Sequence, residues 1–201
     1  MKVGNHYIGL KSPPLIIGEM SGNHNKSIDN AIKIVIEAKK CGLKFLKLQT
    51  YTPETITLNS KKKDFRIYDK KSIWHGKTLH NIYKEAHTPW SWHEKIIKKC
   101  KSLGITCFST PFDVSAVDFL EKLKVPAYKI ASFEITDFQL IQRVARTKKP
   151  IILSTGMASK LEIKEALKII KINGNNKVAL LKCTSAYPAP YENVNLNTIK
   201  D

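Results

Sequence analysis

Arginine is scarce in this sequence: of its 34 basic residues only Arg66, Arg143 and Arg146 are arginines, and the lysines are scattered over helix-patterned stretches. Readout of phosphates and base edges favours the planar guanidinium fork over a point ammonium. The net charge of +17 therefore does not describe a nucleic-acid surface, although such a field would favour an anionic substrate. The joint abundance of Lys, Ile and Asn is what a coding bias toward those residues produces. Paired cysteines are also missing, because Cys41, Cys100, Cys107 and Cys183 stand at irregular spacing with no CxxC, which argues against a zinc site or a disulfide framework. No apolar run approaches the roughly 18 residues of a membrane span, and the opening MKVGNHYIGLKSPP has no signal-peptide core. The expectation is a cytoplasmic protein with no membrane or nucleic-acid partner. A length of 201 residues with 42% hydrophobic content suffices for a sizeable core.

What is present is one recurring unit: a short apolar run, a polar loop, then an amphipathic stretch. That alternation marks an α/β protein with parallel strands. The predicted strands are LIIGEM (15–20), KFLKLQT (44–50), ITCFST (105–110), AYKIAS (127–132), IILST (151–155) and KVALLKCT (177–184). Helices are predicted from Ser27 to Lys40, over about 91–103 behind a Ser91/Glu94 capping box, from Asp113 to Leu123, from Asp137 to Thr147, and behind a second capping box at Ser159/Glu162 as far as Gly174. The segment 51–90 is a long basic, aromatic-rich connection, too long for an ordinary loop and so expected to be functional. Two architectures compete, an open doubly wound sheet and a (β/α)8 barrel. The first loop, GEMSGNHN, lacks the GxGxxG of the former.

The strand ends favour the barrel, whose chemistry sits at the C-terminal ends of its strands. Glu19, Lys47 and Gln49, Ser109 and Thr110, Lys129 with Ser132 and Glu134, Ser154 and Thr155, and Lys182 with Thr184 and Ser185 all fall there. A single Ser or Thr in such a place is as easily a turn or cap residue. Lys47 within FLKLQ and Lys129 within AYKIA are different, because a cation among apolar strand residues is rarely buried unless it meets an anion, either a ligand or a structural salt-bridge partner. The pair is expected to face one anion from two directions and to repel each other when it is absent. The loop histidines His24, His75, His80, His87 and His93 read as surface residues, and none is assigned to a metal.

GEMSGNHN, KLQTYTPETIT, FSTPFD, PAYKIASFE, KPIILSTGMAS and LLKCTSAYPAPYE together resemble, in order, the strand-end motifs of the sialic acid synthase (N-acetylneuraminate synthase) superfamily. The resemblance covers roughly residues 13–199. MSGNHN, SIWHGKTLHNIYKEAHTPWSWH and TPFDVSAVDFLE are more similar to its pseudaminic acid-forming branch than to its N-acetylneuraminate or legionaminic acid branches. The resemblance implies an incomplete (β/α)8 TIM-barrel domain over 1–201, with about six of the eight βα strands, and a cytoplasmic transferase that condenses phosphoenolpyruvate with an open-chain acetamido sugar to give a nonulosonic acid and phosphate. It implies that Lys47, Thr110, Lys129, Ser132, Ser154 and Ser185 bind phosphoenolpyruvate. Glu19, Gln49, Glu134 and Tyr187 would bind the sugar, and Glu19 and Lys129 would be catalytic. Ser185 replaces an Asn of the N-acetylneuraminate branch. For Glu134 a helix-capping role, and for Tyr187 turn packing, remain open beside these assignments.

The family further implies a divalent metal, Mn2+ or Mg2+, held by two histidines on later strands, a C-terminal antifreeze-like domain and a homodimer. The sequence ends at Asp201 ahead of those histidines and that domain, so the expectation is a partial synthase, inactive alone. A non-catalytic remnant is the alternative from outside enzymology.

Overall fold

A computed structural model describes residues 1–186 and 189–200; Tyr187, Pro188 and Asp201 lie outside the described residues. The chain forms two compact units, one of Leu15–Ala116 and one of Met1–Pro14 with Val117–Asp201. Six parallel strands, each preceded or followed by a helix, run through them in the βα order of a (β/α)8 barrel. No helix among the described residues is long and apolar enough to cross a membrane.

The chain opens with a hairpin absent from the sequence reading, in which β1 (Lys2–Val3) pairs antiparallel with β2 (His6–Tyr7). In the unit 15–116, β3 (Ile17–Glu19), β4 (Phe45–Thr50) and β5 (Thr106–Pro111) are parallel neighbours. Between β3 and β4 runs α1 (Ile28–Lys40), started by Ser27, whose hydroxyl accepts from the Asn30 N–H, and favoured by Asp29 in its first turn and Lys39 and Lys40 in its last. Ala31, Val35 and Ala38 recur at helical spacing and bury against Leu46, Leu48 and Cys107 of the strands. The connection 51–90 contains α2 (Pro53–Ile56), a 3-10 turn at Lys63–Phe65 and α3 (Leu79–Ala86). Gly22 lies against α3 so closely that a Cβ there would sit 2.8 Å from the Ala86 carbonyl oxygen.

The expected Ser91 cap is corrected. α4 (Trp90–Ser102) starts two residues earlier, with Pro89 as its N-cap, since the Pro89 carbonyl accepts from the Trp92 N–H and closes the first turn there. Ser91 is thus inside the helix, and Glu94 pairs instead with Lys98.

α5 (Val114–Lys122) leads toward the second unit. There β6 (Tyr128–Ile130), β7 (Ile151–Ser154) and β8 (Val178–Leu181) are parallel neighbours, with α6 (Phe138–Arg146) and α7 (Lys160–Ile172) between them. Asp137 caps α6 through the Leu140 N–H, and Leu140, Ile141, Val144 and Ala145 form its buried stripe. The Ser159/Glu162 capping box is present in full. β8 is shorter than the predicted 177–184, and Leu180 and Leu181 on it stay 47% and 39% exposed.

Replacing Ser159 with Ala removes the acceptor for the Glu162 N–H and leaves half of the box. The expected loss is about 1 kcal/mol, read as a lowered urea midpoint with an unchanged slope.

Candidate functional site

Strand alternation sorts the polar residues of the unit 15–116 into two sets. Phe45, Lys47 and Gln49 project from one face of β4, and in register beside them lie Glu19 of β3 and Phe108 and Thr110 of β5. Lys47 Nζ forms an ion pair with the Glu19 carboxylate, the lysine side chain being 15% and the glutamate 41% exposed. Of the two partners left open for Lys47, a ligand anion or a structural salt bridge, the chain supplies the second in Glu19. Gln49 Oε1 accepts from Ser21 Oγ at 3.2 Å. Thr110 is buried, and its Oγ1 has no hydrogen-bond partner. An unpaired hydroxyl in such a place is unfavourable unless a ligand or water meets it.

The opposite face carries a second network, one the sequence reading missed. Ser109, expected among the rim groups, turns instead toward α4 and lies 2.6 Å from Thr50 Oγ1, which is 2.9 Å from His93 Nε2. His93 Nδ1 sits 3.2 Å from the Pro89 carbonyl, so the nitrogen facing Pro89 carries the proton and Nε2 accepts from Thr50. Burial lowers the His93 pKa to about 4, against the hydrogen bonds to Pro89, Gln49 and Trp90. His24 is also buried, 3.1 Å from Thr88 Oγ1, and its pKa too is lowered, by burial first and by His87 second. His80 is buried beside Glu54. The reading of these three histidines as surface residues is therefore corrected. The available signal was the apolar stripe of α4, which extends backward from Cys100, Ile97 and Ile96 to position 93 at helical spacing.

In the other unit, Lys129 is buried on β6 between Tyr128 and Ile130. Its Nζ donates to the Ile130 carbonyl at 2.8 Å and to Ser154 Oγ, at the end of β7, at 2.5 Å. Ser154 Oγ lies in turn 3.1 Å from Cys183 Sγ. Gly156 follows in the turn after β7, and a Cβ placed on it would collide with Ser185 Oγ, come within 2.8 Å of Ser132 Oγ and lie 3.3 Å from Cys183 Cβ. The space a side chain would take at Gly156 is thus a hollow bordered by the Ser132 and Ser185 hydroxyls, in the turn that follows the Ser154 hydroxyl on the Lys129 ammonium, a set of groups with the chemistry of an oxyanion or phosphate cradle. Met157, next in the turn, is exposed and has a left-handed φ of 66°. Glu134 closes a 3-10 turn after β6, and its Oε2 is buried without a hydrogen-bond partner. Burial pushes its carboxyl up to about 7, while its own backbone N–H and the Lys129 ammonium pull the other way. The capping alternative for Glu134 falls away, because Asp137 caps α6. Tyr187 lies outside the described residues.

Among the described residues no group of three or more His, Cys, Asp or Glu side chains could hold a metal ion. The described residues therefore do not fit a metal site of that kind.

Parallel βα units with polar groups at the C-terminal strand ends define a (β/α)8-type protein of the kind that builds small-molecule sites there. The chain belongs to the NeuB family, whose model matches residues 34–201. It is 44% identical over 187 residues to pseudaminic acid synthase of Helicobacter pylori, covering 93% of this chain and 54% of that protein. It is 42% identical over 199 residues to pseudaminic acid synthase of Campylobacter jejuni strain 81-176, covering 99% and 57%. It thus spans somewhat more than half the length of these curated relatives. Among solved structures, N-acetylneuraminic acid synthetase of Leptospira borgpetersenii superposes with a TM-score of 0.86 at 28% identity, over 100% of this chain and 64% of that one. The expected fold class is thereby borne out.

The lowered His93 pKa gives a pH dependence of definite sign. Between its ordinary value of 6.5 and the folded value of about 4, the unfolded chain holds more protons on this residue, so stability falls as pH falls through that window. The contribution is on the order of 3 kcal/mol at most. Glu134, raised to about 7, acts in the opposite sense, losing stability as pH rises from about 4.5 to 7. The His93 effect is therefore read as a difference: His93→Asn is expected to show a flatter fall than the parent between pH 6.5 and 4 in urea unfolding.

Proposed function

We propose that this chain carries the phosphoenolpyruvate-binding part of a nonulosonic acid synthase of the pseudaminic acid type. The observation that carries the reading is the buried Lys129 ammonium, hydrogen-bonded to Ser154 beside the Gly156 hollow that Ser132 and Ser185 border. A phosphate or carboxylate settling there would form a charge-assisted contact with the ammonium, and the serine hydroxyls would orient its oxygens. In the unit 15–116, Lys47 and the unpaired Thr110 hydroxyl are assigned to anionic ligand groups, and Glu19 and Gln49 to hydroxyls of the sugar. The identities to the two pseudaminic acid synthases support 2,4-diacetamido-2,4,6-trideoxy-L-altrose as the partner of phosphoenolpyruvate.

In that reaction the methylene carbon of phosphoenolpyruvate attacks the aldehyde carbon of the open-chain sugar, leaving an oxocarbenium-like centre at the phosphate-bearing carbon, and the aldehyde oxygen takes up a proton. Glu134, held near neutrality in its affinity for protons, is a suitable donor for it. Water then adds at the phosphate-bearing carbon and gives up a proton, and the bond from that carbon to the phosphate oxygen breaks, so that the added oxygen becomes the ketone and phosphate leaves with the second proton.

Calorimetric titration tests the reading. The chain is expected to bind phosphoenolpyruvate saturably, and Lys129→Met to weaken binding at least about tenfold, as loss of a charge-assisted hydrogen bond does. Its thermal melt should be unchanged or raised. Absence of saturable binding by the parent chain, or Lys129→Met unfolding while binding persists in what stays folded, would sink the reading. Glu19→Gln releases Lys47 from its partner and should leave phosphoenolpyruvate affinity undiminished.

A further inference from the structure

The Lys129–Ser154 contact continues to a third side chain that the proposed reaction does not use. We infer that Cys183 is a positioning residue for Ser154: its sulfur holds the serine hydroxyl in the rotamer that Lys129 meets and that faces the Gly156 hollow. The inference rests on the anion-binding reading of that hollow.

The Lys129 ammonium is donor only, so at the 2.5 Å contact Ser154 Oγ accepts. Accepting from a cation makes the hydroxyl a better donor and a poorer acceptor, so the Ser154 O–H points to Cys183 Sγ, 3.1 Å away. Sulfur is a weak acceptor. The serine proton is therefore held in place yet surrendered at little cost when a phosphate or carboxylate oxygen enters the hollow, and the thiol can then turn and donate to the lone pair left open on Ser154. An oxygen partner of the same reach would compete harder for that proton; no partner would leave the hydroxyl free to rotate. Cys183 Cβ also stands 3.3 Å from where a Cβ on Gly156 would be, which puts the residue at the wall of the hollow. Cys183 is part-exposed, whereas Cys100 and Cys107 are buried and Cys41 is exposed, so the chain carries its own controls for a thiol reagent.

The test is a double-mutant cycle on phosphoenolpyruvate affinity, with inorganic phosphate as a second probe, and iodoacetamide labelling mapped by mass spectrometry. Cys183→Ala should weaken binding about three- to tenfold, the cost of an unfixed side chain, with Cys183→Ser restoring part of the loss. In a Ser154→Ala background the same Cys183→Ala change should do nothing further, since there is no hydroxyl left to orient. Phosphoenolpyruvate should slow alkylation of Cys183 and leave Cys41 unaffected. An equal loss from Cys183→Ala with and without Ser154 would mean that the cysteine acts through packing alone and would overturn the inference. Unchanged affinity in Cys183→Ala would do the same, as would Cys183 alkylation indifferent to ligand. If the parent chain binds neither phosphoenolpyruvate nor phosphate, the anion-binding reading itself has failed and this inference falls with it, an outcome distinct from binding that ignores Cys183.

Discussion

A single electrostatic constraint organises the unit that contains β6: an ammonium stands on a strand whose neighbouring residues, Tyr128 and Ile130, are wholly buried. The cation cannot be left dry. The Ile130 carbonyl and the Ser154 hydroxyl are drawn onto it, and the Ser132 and Ser185 hydroxyls close on the turn after β7 where a side chain would collide with them, which is why position 156 is glycine. Burial, the largest influence, pushes the Glu134 carboxyl up, and Lys129 is among the groups that pull it down. An anion arriving at Lys129 neutralises the pull and repels the carboxylate, driving Glu134 toward its protonated form. Binding of an anion and readiness of an acid are thereby linked through one lysine.

In the unit 15–116 the same economy is achieved by alternation. Neighbouring positions on β4 send Lys47 and Gln49 to one face and Leu46, Leu48 and Thr50 to the other. Thr50 and Ser109 reach His93 on α4, fastening the helix to the strands with a polar network in an otherwise apolar layer. Because every member has a partner, the network costs little and fixes register, whereas the unpaired Thr110 hydroxyl on the opposite face marks where ligand chemistry is expected.

Much of this was legible in the sequence, for identifiable physical reasons. Caps at Asp137 and Ser159 could be read because a short polar side chain ahead of an amphipathic run has one local partner to satisfy. Lys129 could be singled out because apolar strand neighbours predict its burial. The start of α4 could not, since Pro89 and Ser91 are both acceptable openings and the choice depends on which carbonyl closes the first turn. The two-residue strands of the amino-terminal hairpin are too short for any period to show. The Glu19–Lys47 pair joins residues of two different strands, and burial of His24 and His80 depends on packing that their local sequence does not reveal, whereas the stripe of α4 did point to His93.

The exposed leucines of β8 bear on the solution behaviour of the chain. Among the described residues β8 pairs on one side only, with β7, and Leu180 and Leu181 are exposed along it. A bare apolar edge invites strand-to-strand association. The opposing force is colloidal: a net charge of +17 makes every encounter between copies repulsive while the field extends, to about 30 Å at 0.01 M ionic strength but only about 3 Å at 1 M. Dilute buffer therefore protects the edge and concentrated salt uncovers it, so that salting a preparation for storage would work against its dispersal.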